Sequence, residues 1–123
     1  MKIVYIAGPY TGRIKKITAA NIRVAESFAR RIAAMKIGFV CPHLNSYHME
    51  DIEEVDYNFW IKMYLTILPK CDAIFLLPNW ETSEGTKKEM RLAKVLHIPA
   101  FFGLNELHRW SRGAKNGRNI SRS

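Results

Sequence analysis

The chain has 123 residues, 48% of them hydrophobic and 24% charged, with a formal net charge of +8. This length suits a single domain with its own core, and the composition excludes intrinsic disorder and low-complexity repeats. No apolar run approaches the ~20 residues of a membrane helix, and the N-terminal apolar stretch is too short for a signal peptide.

The first predicted elements are a buried strand and an amphipathic helix. Lys2–Ala7 is a short apolar run ended by Gly8-Pro9, which predicts a central parallel strand. After a loop over residues 10–16, apolar residues recur at steps of three and four and predict a helix, with Thr18 as its N-cap and Gly38 as its stop. The apolar stripe consists of Ile17, Ala20, Val24, Phe28, Ile32 and Met35.

The middle of the chain predicts a second strand, a long loop and a second helix. The strand is Gly38–Pro42, ended by its proline. Residues 43–54 are polar and irregular, and five of the eleven acids lie between positions 50 and 56. An aromatic-rich helix is expected around Asp56–Leu68.

The last third of the chain continues the alternation of predicted strands and helices. Cys71–Leu77 predicts a third buried strand, followed by a loop over residues 79–85 and a helix around Thr86–His97. A fourth strand is expected over Pro99–Phe102 and a short helix over Asn105–Trp110. Cys41 and Cys71 lie in apolar runs, which favours buried, reduced thiols in a cytoplasmic protein.

Alternating strands and helices predict an α/β fold. We expect a doubly wound, flavodoxin-like or Rossmann-like parallel sheet of four to five strands, with helices on both faces, in a domain over residues 1–108. Ligands of such sheets bind beyond the carboxyl ends of the strands. This rule selects the loops over residues 8–13, 41–45 and 79–85.

The loop after the first strand carries groups suited to a phosphorylated ligand. Gly8 lets the backbone approach a ligand, Thr11 offers a hydroxyl and Arg13 offers a charge suited to phosphate. The Gly-x-Gly-x-x-Gly and Gly-Lys-Ser/Thr patterns of dinucleotide and phosphate loops are absent. An ordinary turn between strand and loop explains the segment equally well.

The segment Ser83–Glu89 has the pattern of an anion site at a helix start. Ser83 and Gly85 would lie where free backbone N–H groups and the helix dipole attract negative charge, with Glu89 one turn further on. A helix cap at Ser83 or Thr86 is the simpler explanation. The four histidines and two cysteines lack metal-ligand spacing, and no cofactor is expected.

Taken together, these segments resemble the nucleoside 2-deoxyribosyltransferase superfamily, which includes nucleoside 5′-monophosphate N-glycosidases. The matching pieces are Tyr5-Ile-Ala-Gly-Pro-Tyr10, Cys71-Asp-Ala-Ile-Phe-Leu-Leu77 and Ser83-x-Gly85-x-x-x-Glu89. Their order and spacing span residues 1–102. The resemblance implies a homodimer or larger homo-oligomer.

The resemblance also implies roles for individual residues. Glu89 matches the nucleophile that forms a covalent glycosyl-enzyme, and Tyr5 matches the tyrosine that orients it. Ser83 and Gly85 match a phosphate-contacting turn. The sugar and phosphate loop is matched by Gly8, Pro9 and Tyr10.

The proton donor for the leaving base is the point at which the sequence departs from the family. The family places an acid eight residues before the aspartate that opens the central strand, and here that position is Tyr64. Asp56, at the start of the aromatic helix, is the expected general acid. His43, after the second strand, is an alternative proton donor close to the substrate.

The resemblance therefore implies cleavage of the N-glycosidic bond of a nucleoside 5′-monophosphate, or transfer of a 2-deoxyribosyl group between bases. A nucleotide-binding module without turnover is the first alternative. The second is a nucleic-acid accessory protein acting through a flexible tail over residues 109–123, which holds five basic residues and no acid. The tail lacks the interleaved aromatics of single-strand binders, so a solubilising role is expected for it.

Overall fold

The protein folds into one parallel sheet between two layers of helices. The computed structural model describes residues 1–10 and 15–113. Within them, four strands lie in the order β2-β1-β3-β4. The strands are β1 (Ile3–Ala7), β2 (Gly38–Val40), β3 (Ala73–Leu76) and β4 (Ala100–Phe101). All three pairings are parallel, with Ile3 opposite Gly38 and Val4 opposite Ala73, so the predicted fold class is confirmed.

Five helices of the described chain join and flank these strands. They are α1 (Lys15–Ala34), α2 (Pro42–Ser46), α3 (Tyr57–Ile67), α4 (Glu84–Val95) and α5 (Leu104–Ser111). Short 3₁₀ turns over Leu68–Lys70 and Trp80–Thr82 precede β3 and α4. Because α1 begins at Lys15, Thr18 lies inside the helix, and its predicted role as N-cap is wrong.

The end of α1 also differs from the prediction. The helix stops at Ala34, and Lys36, with φ of 64°, makes the left-handed turn that was expected of Gly38. Gly38 instead opens β2, where an added Cβ would lie 2.6 Å from Ile3 Cδ1. The Ile3 side chain can shift, but the Lys2 carbonyl oxygen lies 3.3 Å from the same position, so β2 leaves little room for a larger residue beside β1.

Both faces of the sheet are buried, as expected of a doubly wound fold. Successive residues of β1 alternate between two core clusters. One cluster lies under α1 and α5 and includes Val4, Ile6, Phe75, Leu77, Phe101 and Leu107. The other lies under α3 and α4 and includes Tyr5, Ala7, Tyr64, Ile74, Leu76 and Ala93.

The buried face of α1 is narrower than its apolar stripe. Ala25, Ala29 and Ile32 are buried against the sheet, whereas Ile17 and Val24 are exposed. The small alanines, at i and i+4, let the helix approach the sheet closely. The predicted stripe is therefore wrong at these two positions.

A short helix follows β2 where the sequence predicted an irregular loop. Cys41 is extended and Pro42 is the first residue of α2, a position that suits proline because it has no N–H to satisfy. Cys41 and Cys71 are buried free thiols that flank a helix and a 3₁₀ turn and do not lie within strands. Burial raises the pKa of Cys41 to about 11 and also raises the pKa of Cys71, which argues against a cysteine nucleophile.

The last helix extends past the predicted domain boundary at residue 108. Trp110 packs on Phe101, with ring centroids 5.2 Å apart, and Lys2 lies over the Trp110 ring at 5.0 Å. Positions 109–111 of the expected tail thus form the last turn of α5, and residues 114–123 lie outside the described part. No helix in the described residues is long and apolar enough to cross a membrane.

Candidate functional site

A cavity of about 580 Å³ lies at the carboxyl edge of the sheet. It is enclosed by segments that follow β1, β2 and β3, the geometry typical of ligand sites in parallel sheets. Residues singled out from the sequence that line it are Gly8, Pro9, Tyr10, His43, Ser83, Gly85 and Glu89. Arg13 and Thr11 lie outside the described residues.

The hydroxyl of Tyr5 donates a hydrogen bond to Glu89 Oε2. Tyr5 is fully buried in β1, and Glu89 lies half-buried on α4, where it lines the cavity. Burial raises the pKa of Glu89 to about 7, although the bond from Tyr5 works in the opposite direction. Burial and the neighbouring carboxylate also raise the pKa of Tyr5, which keeps it a donor. The pair holds a carboxylate in a defined orientation at the cavity.

The N-terminus of α4 presents hydrogen-bond donors to the same cavity. Ser83 is the N-cap, and its Oγ accepts from Thr86 N at 3.1 Å and from Thr86 Oγ1 at 3.0 Å. Both acceptor positions of this hydroxyl are thus occupied, so its hydrogen is left to donate to a ligand. A Cβ at Gly85 would meet only Ser83 Oγ, at 3.9 Å. This helix start can hold an anion.

Lys88 is a cavity residue that sequence reasoning missed. Gly85, Lys88 and Glu89 are related by steps of three and four, so they share one face of α4. Lys88 is the only lysine or arginine among the described residues that line the cavity. Lys87 does not line the cavity, but it pairs at 3.4 Å with Glu84, which does. Its spacing from Gly85 and Glu89 was a sufficient signal to include Lys88.

His43 links the loop after β1 to α2. Its buried Nε2 lies 2.8 Å from the carbonyl oxygen of Pro9, so Nε2 must carry the hydrogen. The Tyr10 ring packs edge-on against the imidazole, with centroids 5.6 Å apart. Burial lowers the pKa of His43, which favours the neutral ring. Donation of the Nε2 proton to a leaving base would require this link to break.

The structure does not bring Asp56 to the cavity. Asp56 is exposed, lies one residue before α3 and accepts a hydrogen bond from Phe59 N at 3.1 Å, as an N-cap. The face of α3 that reaches the cavity begins one residue later and follows helical spacing. It consists of Tyr57, Trp60, Ile61, Tyr64 and Leu65.

A second tyrosine–carboxylate pair lies at the mouth of the cavity. The Tyr10 hydroxyl donates to Glu50 Oε1, and Asn21 Nδ2 donates to the Tyr10 carbonyl at 3.2 Å. Burial and the bond to Glu50 raise the pKa of Tyr10. Glu50 belongs to the acid-rich stretch before α3, but nothing in the sequence distinguished it from its acidic neighbours.

Two solved structures share this fold at low sequence identity. A 2-deoxyribosyltransferase from the psychrotolerant bacterium Bacillus psychrosaccharolyticus is 19% identical, with a TM-score of 0.57 over 80% of this chain and 69% of that chain. A conserved protein from Enterococcus faecalis V583 is 17% identical, with a TM-score of 0.58 over 94% of this chain and 78% of that chain. At these identities the likeness shows a common fold.

Sequence comparison places the chain in a family without an assigned activity. No curated protein matches the chain. Residues 2–102 match the family model described as a domain of unknown function, DUF4406. This match covers most of the chain, including every strand and the cavity residues described above, so the chain belongs to the DUF4406 family.

Proposed function

We propose that the protein cleaves the N-glycosidic bond of a nucleoside 5′-monophosphate, with Glu89 as the nucleophile. The observation that carries this proposal is the Tyr5–Glu89 hydrogen bond beside the N-terminus of α4 in one cavity. A fixed carboxylate next to an anion site suits a substrate whose reacting carbon lies near a phosphate. The shared fold with a 2-deoxyribosyltransferase supports nucleoside chemistry.

The reaction would proceed in two displacements. A Glu89 oxygen attacks the anomeric carbon, the bond from that carbon to the base nitrogen breaks, and the base leaves with the electron pair. Water then attacks the same carbon and gives up one proton, which balances the proton that the departing base takes up; this step releases the 5-phosphosugar and regenerates the carboxylate. If a second base attacks in place of water, the same intermediate gives 2-deoxyribosyl transfer.

Hydrolysis of a monophosphate is favoured over transfer between unphosphorylated nucleosides. The Ser83 hydroxyl, the free N–H groups of the first turn of α4 and the Lys88 ammonium all supply donors for an anion. An unphosphorylated nucleoside would leave these donors without a partner.

The leaving base needs a proton, and such assistance contributes roughly 10²–10⁴-fold to a rate. Both expected donors have other partners, since Asp56 caps α3 and His43 donates to Pro9. We therefore favour a water molecule at the open mouth of the cavity as the donor. The same observation favours a second candidate function, a module that binds nucleotides without cleaving them.

The test measures release of free base from a panel of ribo- and deoxyribonucleoside monophosphates. Glu89→Gln keeps the shape of the side chain and removes the nucleophile, so we expect a loss of at least ~10³-fold in turnover. Glu81→Gln, an exposed residue near the same helix that does not line the cavity, is the matched control.

Two outcomes would contradict the proposal. Near-wild-type turnover by Glu89→Gln would exclude Glu89 as the nucleophile. Tight binding of monophosphates by the wild-type protein, with no base released from any of them, would favour the binding module.

A further inference from the structure

We infer that the Tyr10–Glu50 pair selects nucleotides whose base carries an amino group, namely cytosine, adenine and guanine. This inference rests on the proposed function, because it assumes a nucleoside monophosphate in the cavity. Tyr10 and Glu50 line the cavity from the segments that follow β1 and α2, whereas the anion site follows β3.

Within the described part of the chain, the Tyr10 hydroxyl holds the Glu50 carboxylate in place and leaves some of its acceptor positions unoccupied. Two oxygens of a carboxylate offer about four acceptor positions, and the Tyr10 hydroxyl occupies one of them, at Oε1. Glu50 has no salt bridge to a described lysine or arginine. The remaining positions accept hydrogen bonds from a ligand, and an ionised carboxylate has no donor to offer in return.

The strand order separates Glu50 from the anion site. Tyr10 follows β1 and packs against His43 of α2, which follows β2, whereas Ser83 and Gly85 follow β3. β2 and β3 lie on opposite sides of β1, so the segments that carry His43 and Ser83 leave the sheet two strand spacings apart, roughly 10 Å at the strand ends. A phosphate at α4 would leave the sugar near Glu89 and direct the base toward Tyr10 and Glu50.

Charge and shape support this orientation of the nucleotide. Glu50 repels a phosphate, and the acids that follow it, at positions 51, 53 and 54, add to this repulsion. Tyr57 and Trp60 of α3 line the same cavity and offer aromatic surface to a planar base. The start of α4 also carries the cavity acid Glu84, but Lys87, which pairs with it at 3.4 Å, offsets its charge. The phosphate therefore favours Lys88 and the start of α4.

The chemistry of the base edge then decides which base is accepted. Exocyclic amino groups donate hydrogen bonds, and carboxylates accept them, as glutamate does from the amino group of cytosine. Uracil, thymine and hypoxanthine present a carbonyl oxygen where cytosine or adenine presents the amino group. Against Glu50 that oxygen meets another acceptor, so these bases are disfavoured.

The experiment compares pairs of nucleotides that differ at one edge of the base. Cytidine monophosphate carries an amino group where uridine monophosphate carries a keto oxygen and a hydrogen on the adjacent ring nitrogen. Adenosine and inosine monophosphates differ in the same way. We would measure base release by the wild-type protein and nucleotide affinity by calorimetry. A preference of roughly tenfold for the amino member of each pair is expected, near the lower end of a base-edge hydrogen bond.

Variants then test whether Glu50 is the source of that preference. Glu50 is exposed, and Glu50→Gln keeps the shape of its side chain. The glutamine amide both donates and accepts hydrogen bonds, so amino and keto bases should be bound about equally. Tyr10→Phe frees the carboxylate and should weaken the preference. Glu53→Gln is the control, because Glu53 is exposed on the same loop and does not line the cavity.

The outcomes separate this inference from the proposed function. Base release with no amino preference, or with the same preference in Glu50→Gln, would overturn the inference alone. A change in the ratio of ribose to deoxyribose substrates instead would assign Glu50 to the sugar and also overturn it. Amino-selective binding without base release would support the inference and contradict the proposed reaction. No nucleotide binding at all would overturn both.

Discussion

Glu89 is held in a form that is difficult to ionise. The carboxyl lies half-buried beside a fully buried tyrosine, and this burial raises its pKa from 4.5 to about 7. Desolvation disfavours the charged form more than the single hydrogen bond from Tyr5 favours it. A nucleophile must be ionised, so the proposed reaction should accelerate as the pH rises through 7.

The same pKa shift predicts a pH-dependent effect of Glu89→Gln on stability. Between the unfolded pKa near 4.5 and the folded pKa near 7, the native state binds more protons, so its stability falls as the pH rises. The Glu89→Gln variant carries a neutral amide that does not ionise, so it does not suffer this loss of stability. At about pH 8 the variant should be more stable than wild type, by an amount on the order of 1–3 kcal/mol, and near pH 4 the difference should vanish.

Urea unfolding of both proteins at several pH values would measure this difference. Glu81→Gln, which removes an exposed carboxylate just before the same helix and outside the cavity, is the control. A Glu89→Gln variant that is less stable than wild type at alkaline pH would indicate that the ionised carboxylate stabilises the fold.

Helix α4 combines a structural cap with the proposed anion site. Its N-cap bond from Thr86 to Ser83 stabilises the helix whether or not a ligand is present. Gly85, by contrast, is a poor helix former with no steric need for glycine, since the nearest atom to an added Cβ is 3.9 Å away. A glycine that weakens a helix without a packing reason is consistent with close approach of a ligand.

Gly85→Ala should therefore have opposite effects on the stability of the protein and on its affinity for the ligand. Alanine should stabilise the protein by up to about 1 kcal/mol, because it favours the helix. Its methyl group enters the cavity beside the free N–H groups of α4, so affinity for a nucleoside monophosphate should fall. Thermal unfolding and calorimetric titration measure the two effects. Equal losses of affinity for a nucleoside and its monophosphate would argue against a phosphate at this position.

The shape of the cavity depends on how closely the ends of β1 and β3 approach each other. Gly8 also lines the cavity, but an added Cβ there would lie 2.6 Å from Leu77 Cβ and 2.7 Å from Leu77 Cδ1. Close packing against Leu77, just past β3, is thus the reason for glycine at position 8. The sequence had suggested that a ligand needed this close approach.

Gly8→Ala should accordingly destabilise the whole fold. The clash involves the Leu77 Cβ, which cannot move without the backbone, so we expect a loss of about 1–3 kcal/mol of unfolding free energy. Chemical denaturation measures it, and Gly85→Ala serves as the comparison because it adds the same methyl group to open space on the same cavity. Unchanged stability of Gly8→Ala would contradict this account.

The sequence predicted the elements of the fold well because buried parallel strands have a strong pattern. Lys2–Ala7 and Cys71–Leu77 are mostly apolar runs followed by glycine or proline, and each contains an observed strand, β1 and β3. Errors fell at the ends of α1, along its apolar stripe and at the short helix α2, where tertiary contacts decide. At the end of α1, Lys36 takes the left-handed turn expected of Gly38, and Gly38 packs beside Ile3 at the start of β2.

The residues of the candidate site also differ in whether a local sequence pattern could identify them. The Ser-x-Gly-x-x-x-Glu spacing and its resemblance to a known superfamily singled out Glu89 and Tyr5, which are hydrogen-bonded in the structure, while their catalytic roles stay predictions. Local spacing could identify Glu89 because residues four apart, such as Gly85 and Glu89, lie on the same face of a helix. Asp56 is different, because a shift of one residue at the start of α3 makes it a cap outside the cavity.

Other features depended on the tertiary structure alone. The hydrogen bond from Tyr10 to Glu50 joins residues 40 positions apart, and that from His43 to Pro9 joins residues 34 positions apart. No local pattern distinguishes Glu50 from the acids around it. Strand order places the segments after β1, β2 and β3 side by side, so contacts between distant residues decide which polar groups face the cavity and which serve the fold.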